Sequence, residues 1–160
     1  MDCLILLQHR QWIVTTDRVM GGVSTCQIEP APRGIQIKGM LSHQNNGGFV
    51  SARMMDGTLA VPTGAIGIKL TWSADQRDYL LIVHEEDRRP REYFSVSLRS
   101  SPQVVLWSDF QYQYRNQRDN SRYLDPGKIV SLGILLSRTS EGTVDFCLEQ
   151  VEWMESECLP

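Results

Sequence analysis

The chain has 160 residues, 41% hydrophobic and 22% charged, which is enough for one domain with a substantial core. Its 12 Gly and 7 Pro are too few for a low-complexity or collagen-like chain. With 19 acidic against 16 basic side chains and a net charge of -3, it lacks the basic footprint of a protein that binds nucleic acid by neutralising phosphates.

The opening Met1-Asp2-Cys3 carries no basic region, and no apolar run, that at Leu4–Leu7 included, exceeds five residues, too short for a signal or a membrane span. The expectation is a cytoplasmic protein without membrane insertion. Cys3, Cys26, Cys147 and Cys158 are scattered without a CxxC, so free thiols are expected. A first strand holds Trp12. It leads into Asp17-Arg18-Val19-Met20-Gly21-Gly22-Val23-Ser24, a turn that Asp17 can cap by accepting from backbone N–H groups. The segment lacks the lysine and the following helix of a phosphate-binding loop. Strands follow at Val23–Ile28 and Arg33–Ser42, the second with Ile35 and Ile37 on one face and Gln36 and Lys38 on the other. A second Gly-Gly turn, Asn45-Asn46-Gly47-Gly48, runs into a strand at Phe49–Met54.

Beyond a loop at Asp56–Thr63, strands are expected at Ile66–Trp72 and Tyr79–His84, then at Tyr93–Arg99 after a charged turn, Glu85–Arg91. In Tyr93–Arg99 the inward set is Phe94, Val96 and Leu98. Val104–Trp107 and Ile129–Leu136 flank a long polar loop, Gln113–Gly127. The last strand, Thr143–Trp153, changes phase after Leu148, which marks a bulge near Glu149-Gln150. Trp72 and Trp107 read as core, and Trp12 and Trp153 as a pair that ties down the termini. About nine or ten short strands without a helical stripe define an all-β chain. The expected architecture is a single antiparallel β-sandwich of jelly-roll type over residues 1–160.

Chemistry-bearing residues are sparse. His9, His43 and His84 are far apart and none has metal-ligand spacing, while His84-Glu85-Glu86-Asp87 reads as a solvated turn. No nucleophile elbow occurs, so no enzyme activity, cofactor or metal is expected.

The most specific residues are Trp12, then Thr16-Asp17-Arg18-Val19-Met20-Gly21-Gly22-Val23-Ser24, Gly39-Met40-Leu41-Ser42 and Asn45-Asn46-Gly47-Gly48-Phe49-Val50-Ser51-Ala52-Arg53. With Asp78-Tyr79, Trp107-Ser108-Asp109-Phe110 and Phe146-Cys147-Leu148-Glu149-Gln150-Val151, this series resembles the complex I intermediate-associated protein family from Trp12 to about Trp153. The resemblance implies a galactose-binding-like jelly roll similar to non-catalytic carbohydrate-binding modules. Mitochondrial members assist assembly of respiratory complex I, and other relatives carry the domain beside a nucleotide-binding, dehydrogenase-like one. Without a mitochondrial presequence or a second domain, this chain resembles a stand-alone bacterial member. Its Tyr112–Tyr123 stretch departs from the Gly- or Pro-rich loop of the family.

Asp17 and Arg53 flank two turns that the resemblance places together, so a charge-assisted hydrogen bond is expected between them. Around it, Arg18, Met20, Gly21, Gly22, Ser24, Asn46, Gly47 and Gly48 form a candidate binding end. Tyr112, Tyr114, Arg115, Arg118, Arg122 and Tyr123 form a candidate surface for a protein partner, since Tyr and Arg are enriched at binding hot spots. The leading function is an assembly factor or chaperone whose client belongs to a respiratory or other redox complex. A carbohydrate-binding module is the alternative, and needs two or three of Tyr79, Tyr93, Tyr112, Tyr114 and Tyr123 exposed on a concave sheet face. A nucleotide-binding accessory subunit is the third, and needs a basic pocket made from the Asp17–Ser24 turn with Arg18 and Arg53.

Overall fold

The computed structural model describes residues 4–57, 59–115 and 117–156. No α-helix occurs among them. Among the described residues are twelve strands: β1 (Trp12–Thr16), β2 (Thr25–Pro30), β3 (Ile35–Leu41), β4 (Phe49–Met54), β5 (Ala65–Ala74), β6 (Leu80–Glu85), β7 (Glu92–Ser97), β8 (Gln103–Leu106), β9 (Gln111–Tyr114), β10 (Gln117–Asp119), β11 (Ile129–Ser137) and β12 (Gly142–Glu155). They form a seven-stranded sheet in the order β1-β4-β11-β6-β7-β9-β10 and a five-stranded sheet in the order β2-β3-β12-β5-β8. All pairs are antiparallel.

Period-two alternation builds the core between the sheets. Val50, Ala52 and Met54 from β4, Leu81 and Val83 from β6, and Phe94 from β7 face Ile35 and Ile37 from β3 and Phe146 and Leu148 from β12. Phe146 has no exposed surface and packs between Trp72, at 6.3 Å, and Tyr79, at 4.8 Å. The β12 register pairs Leu148 with Trp72 and Gln150 with Thr71, so Glu149 is the extra residue of a bulge. That bulge lets Val151 and Trp153 return to the core after the change of phase.

Three expectations need correction. The stretch Gln113–Gly127 is not one loop: β9 and β10 form a hairpin at the edge of the larger sheet. Its outer strand, Gln117-Arg118-Asp119, is exposed at every residue, and a short charged strand of this kind discourages pairing with another chain. Trp12 and Trp153 do not form a ring pair. Trp12 lies in the larger sheet and donates its indole N–H to Leu7 O at 3.1 Å, whereas Trp153 lies in the smaller sheet against Trp107 at 6.4 Å. Trp107 belongs to a 3-10 turn after β8, not to the strand. Cys26 and Cys147 are free thiols, while Cys3 and Cys158 lie outside the described residues.

Candidate functional site

Asp17 has no exposed surface and knots the two Gly-Gly turns together. Its Oδ1 accepts from Ser24 N at 2.9 Å. Its Oδ2 accepts from Ser24 Oγ at 2.5 Å, from Gly48 N at 2.6 Å and from Phe49 N at 3.3 Å. Burial alone would raise the Asp17 pKa, but the Ser24 hydroxyl and the Gly48, Ser24 and Phe49 amides outweigh it and hold the carboxyl below its ordinary value. The glycines make room for this carboxylate. A Cβ on Gly47 would stand 2.5 Å from Asp17 Oδ2, and one on Gly22 would overlap Asp17 Oδ1. Gly21 takes a positive φ of 88° to close the 3-10 turn Asp17–Met20. Ser24 relays the knot by accepting from Ser42 N at 2.9 Å, and Arg18 donates to Ser24 O at 3.0 Å. Asn46, with φ 61°, shapes the second turn, and neighbouring Asn45 donates to Gly21 O at 3.2 Å. Met20 is half exposed, and its Sδ accepts from Arg91 at 2.9 Å.

The expected pair between Asp17 and Arg53 does not form. Arg53 sits at the far end of β4 from Gly48, roughly 15 Å away at the rise of an extended strand. It pairs instead with Asp56 at 2.7 Å. The Gly-lined space is filled by the Asp17 carboxylate, so it offers no cradle for a nucleotide phosphate.

The larger sheet carries a different feature. On the face turned away from the core lies a cleft of about 590 Å³, with Tyr93, Ser95 and Ser97 of β7 and Gln111 and Gln113 of β9 on its floor. The side chains between them, Phe94 and Tyr112, point into the core and meet edge to face at 5.3 Å. The floor is held in place by its own hydrogen bonds. Gln113 donates to Ser95 Oγ at 2.8 Å, and Tyr93 donates to Gln113 Oε1 at 3.4 Å. Ser95 and Gln113 are only 4% and 7% exposed although they face the cleft, so the polar floor is recessed. Arg99, Arg118 and Arg138 stand on the rim against Asp78 and Asp109, which makes the cleft net positive on a net negative chain.

The expected partner residues divide around this cleft. Arg118 lines it. Tyr112 is 3% exposed, so its ring offers no area to a partner; its hydroxyl donates to Glu92 at 2.7 Å. Arg122 covers that ring at 4.5 Å, and the Tyr114 ring has the Arg89 guanidinium at 3.8 Å and that of Arg115 at 5.2 Å. Tyr123 is 85% exposed. Of the five tyrosines proposed as stacking platforms, Tyr79 and Tyr112 are core and only Tyr93 lines the cleft floor. The required row of exposed rings is therefore missing.

Beside the cleft floor, His84 lies 6.1 Å from the Tyr93 ring, and its Nδ1 has no hydrogen-bond partner. Burial, with repulsion from Arg88 and Arg53 and only partial relief from Asp56, pushes His84 down to about 3. The unfolded chain binds this proton near the ordinary value of 6.5, so the folded state is favoured fully above that pH and loses this contribution as pH falls toward 3. NMR titration of the His84 ring is expected to show no protonation step between pH 8 and about pH 4. A midpoint near 6.5 would contradict its burial beside the two arginines.

An all-β jelly roll of two antiparallel sheets is an architecture shared with carbohydrate-binding modules. The fold is similar to a family 11 carbohydrate-binding module from Clostridium thermocellum, solved with a β-1,3-1,4-mixed-linked tetrasaccharide. That structure covers 96% of this chain and 96% of its own at 12% identity and a TM-score of 0.61. The family 11 module of the cellulosomal cellulase Lic26A-Cel5E, also from Clostridium thermocellum, matches 89% of this chain and 86% of its own at 13% identity and a TM-score of 0.58. An exo-β-agarase matches 95% of this chain but 25% of its own, at 8% identity and a TM-score of 0.53. No curated protein matches the chain. The chain belongs to the complex I intermediate-associated protein 30 family, whose model matches residues 7–149.

The recessed cleft was not foreseen in the sequence. Its signal was the outward parity of Ser95 and Ser97, the same parity that marks an ordinary solvent face.

Proposed function

We propose that the chain is a non-enzymatic binding module that works as an assembly factor, holding a protein client from a respiratory or other redox complex in the cleft of the larger sheet. The observation that carries this reading is the pre-organised Tyr93–Gln113–Ser95 floor beneath an arginine-bearing rim, in a chain of this family. Fixed polar groups in a recess give orientation and specificity, and rim charges steer encounter. The β9–β10 hairpin contributes Arg118 to the rim.

Charge reversal tests the reading. Arg99→Glu with Arg118→Glu is expected to leave melting almost unchanged and to lower the amount of co-purifying client roughly tenfold. Lys38→Glu, on the outer face of the smaller sheet, is expected to leave it unchanged. Equal losses in both variants would contradict the assignment.

The jelly-roll likeness to family 11 modules and the polar cleft floor support a second reading, recognition of a saccharide. Affinity electrophoresis in mixed-linked β-glucan separates the two readings. Retardation that disappears with Gln113→Ala would favour the saccharide, and unretarded migration favours the protein client.

A further inference from the structure

Arg53 of β4 and Arg88 of the β6–β7 turn converge on one carboxylate, that of Asp56. Arg53 donates to its Oδ1 at 2.7 Å and Arg88 to its Oδ2 at 2.8 Å. The exposure runs against a simple buried pair: the arginine side chains are 19% and 17% exposed, the aspartate 46%. Two recessed cations therefore hold an anion that is open to solvent. The bracket has a lane built for it in the sheet. Gly133 lies opposite Arg53, and a Cβ there would stand 2.5 Å from the Arg53 Cβ, so glycine lets the Arg53 stem cross β11. The Arg53 guanidinium then reaches Ser131 Oγ at 3.5 Å, while Ser131 gives its own proton to Met54 O at 2.6 Å. His84 is 8% exposed, pairs with Ser131 in the strand register and lies 6.1 Å from the Tyr93 ring of the cleft floor, so Ser131 and His84 link the bracket to the cleft across one sheet.

We infer that this two-arginine bracket is a carboxylate subsite on the same sheet as the cleft, occupied by Asp56 in the free chain and taken over by an acidic side chain of the bound client. The inference rests on the reading of the cleft as a client groove. Each guanidinium grips one oxygen of a planar group, which is the geometry of carboxylate recognition. Asp56 is followed by Gly57, at φ 84° with open space around it, so the aspartate stands at a turn from which its side chain can swing out. Exchange of one carboxylate for another conserves the ion pairs, so the free chain discriminates against weak or isolated acids and yields to one anchored elsewhere in the cleft.

The test uses Asp56→Asn, which removes the resident charge and keeps the side-chain size. The probes are a capped Gly-Asp-Gly-Asp-Gly peptide, its Asn counterpart and inorganic phosphate, each titrated by calorimetry and by NMR of the arginine side chains. Removing an internal competitor that fills the site most of the time is expected to tighten the acidic peptide at least about tenfold. The Asn peptide is expected not to bind, and Arg88→Gln added to Asp56→Asn is expected to abolish binding while the β-sheet amide spectrum is retained. Unchanged affinity in Asp56→Asn, equal binding of the Asn peptide, or phosphate bound in preference to the acidic peptide would each overturn the inference. If Asp56→Asn has no effect while client capture still depends on Arg99 and Arg118, the subsite falls and the client groove stands. If Asp56→Asn tightens the acidic peptide but capture ignores those rim charges, the groove falls and the bracket remains a carboxylate site without a client role.

Discussion

Replacement of Asp17 by Ala is expected to destabilise the protein by about 3–5 kcal/mol, the scale for removing one partner of a buried, charge-assisted network. The substitution removes the acceptor of the buried Ser24 N–H and of the half-buried Gly48 and Phe49 N–H groups, and frees the two Gly-Gly turns from each other. Asp17→Asn keeps the shape, but turns an amide donor toward amides that already donate, so most of the loss persists. The effect depends on pH in a defined direction. The folded-state pKa of Asp17 lies below its ordinary 3.8, so its contribution is complete above that value and is lost as pH falls through the folded value. Urea unfolding at pH 7 and near pH 3 is expected to show the wild-type advantage over Asp17→Asn narrowing at the lower pH. A constant difference would contradict a charged Asp17 in the folded state.

Gly22→Ala is expected to cost about 2–3 kcal/mol, the scale for forcing a methyl group into a filled space. All three atoms nearest to the added Cβ belong to the Asp17 side chain, so the strain is specific to that carboxylate. A double-mutant cycle isolates it. In an Asp17→Gly background, the same Gly22→Ala change is expected to cost less than about 1 kcal/mol, a coupling of the size seen between residues in contact. Additive costs would show that the Gly22 backbone conformation, and not the aspartate, sets the requirement. Gly47→Ala differs, because its Cβ meets Ser42 O at 2.9 Å as well as Asp17, and part of its cost should survive removal of the aspartate.

The strands were legible because the core of a two-layer sandwich writes itself into alternate positions. Phe94 and Val96, or Val144, Phe146 and Leu148, announce both their strand and their buried face, and the phase change after Leu148 located the bulge at Glu149. β9 and β10 were hidden for the converse reason. Gln111–Tyr114 carries glutamines on its outward positions, and Gln117–Asp119 has no buried side, so neither has an apolar signature. The Asp17 turn was readable locally, since capping involves neighbours in sequence, whereas its reach to Gly48 and Phe49 spans 31 and 32 residues. Arg53 was misassigned because strand length, not sequence proximity to Gly48, fixes which end of the sheet it serves. The cleft was illegible altogether. Ser95, Gln111 and Gln113 read as solvent-facing polar residues until the larger sheet brings its strands and a rim of arginines around one recess.

The central claim is that this recess, and not the smaller sheet, meets the client. Site-specific photo-crosslinking tests it most directly, with a photoreactive side chain placed singly at Gln111 in the cleft, at the exposed Tyr123, or at Lys38 on the outer face of the smaller sheet. Cross-linked client is expected in highest yield from Gln111, in lower yield from Tyr123 and at background from Lys38. Cross-linking from Lys38 with background yield at Gln111 would contradict the account.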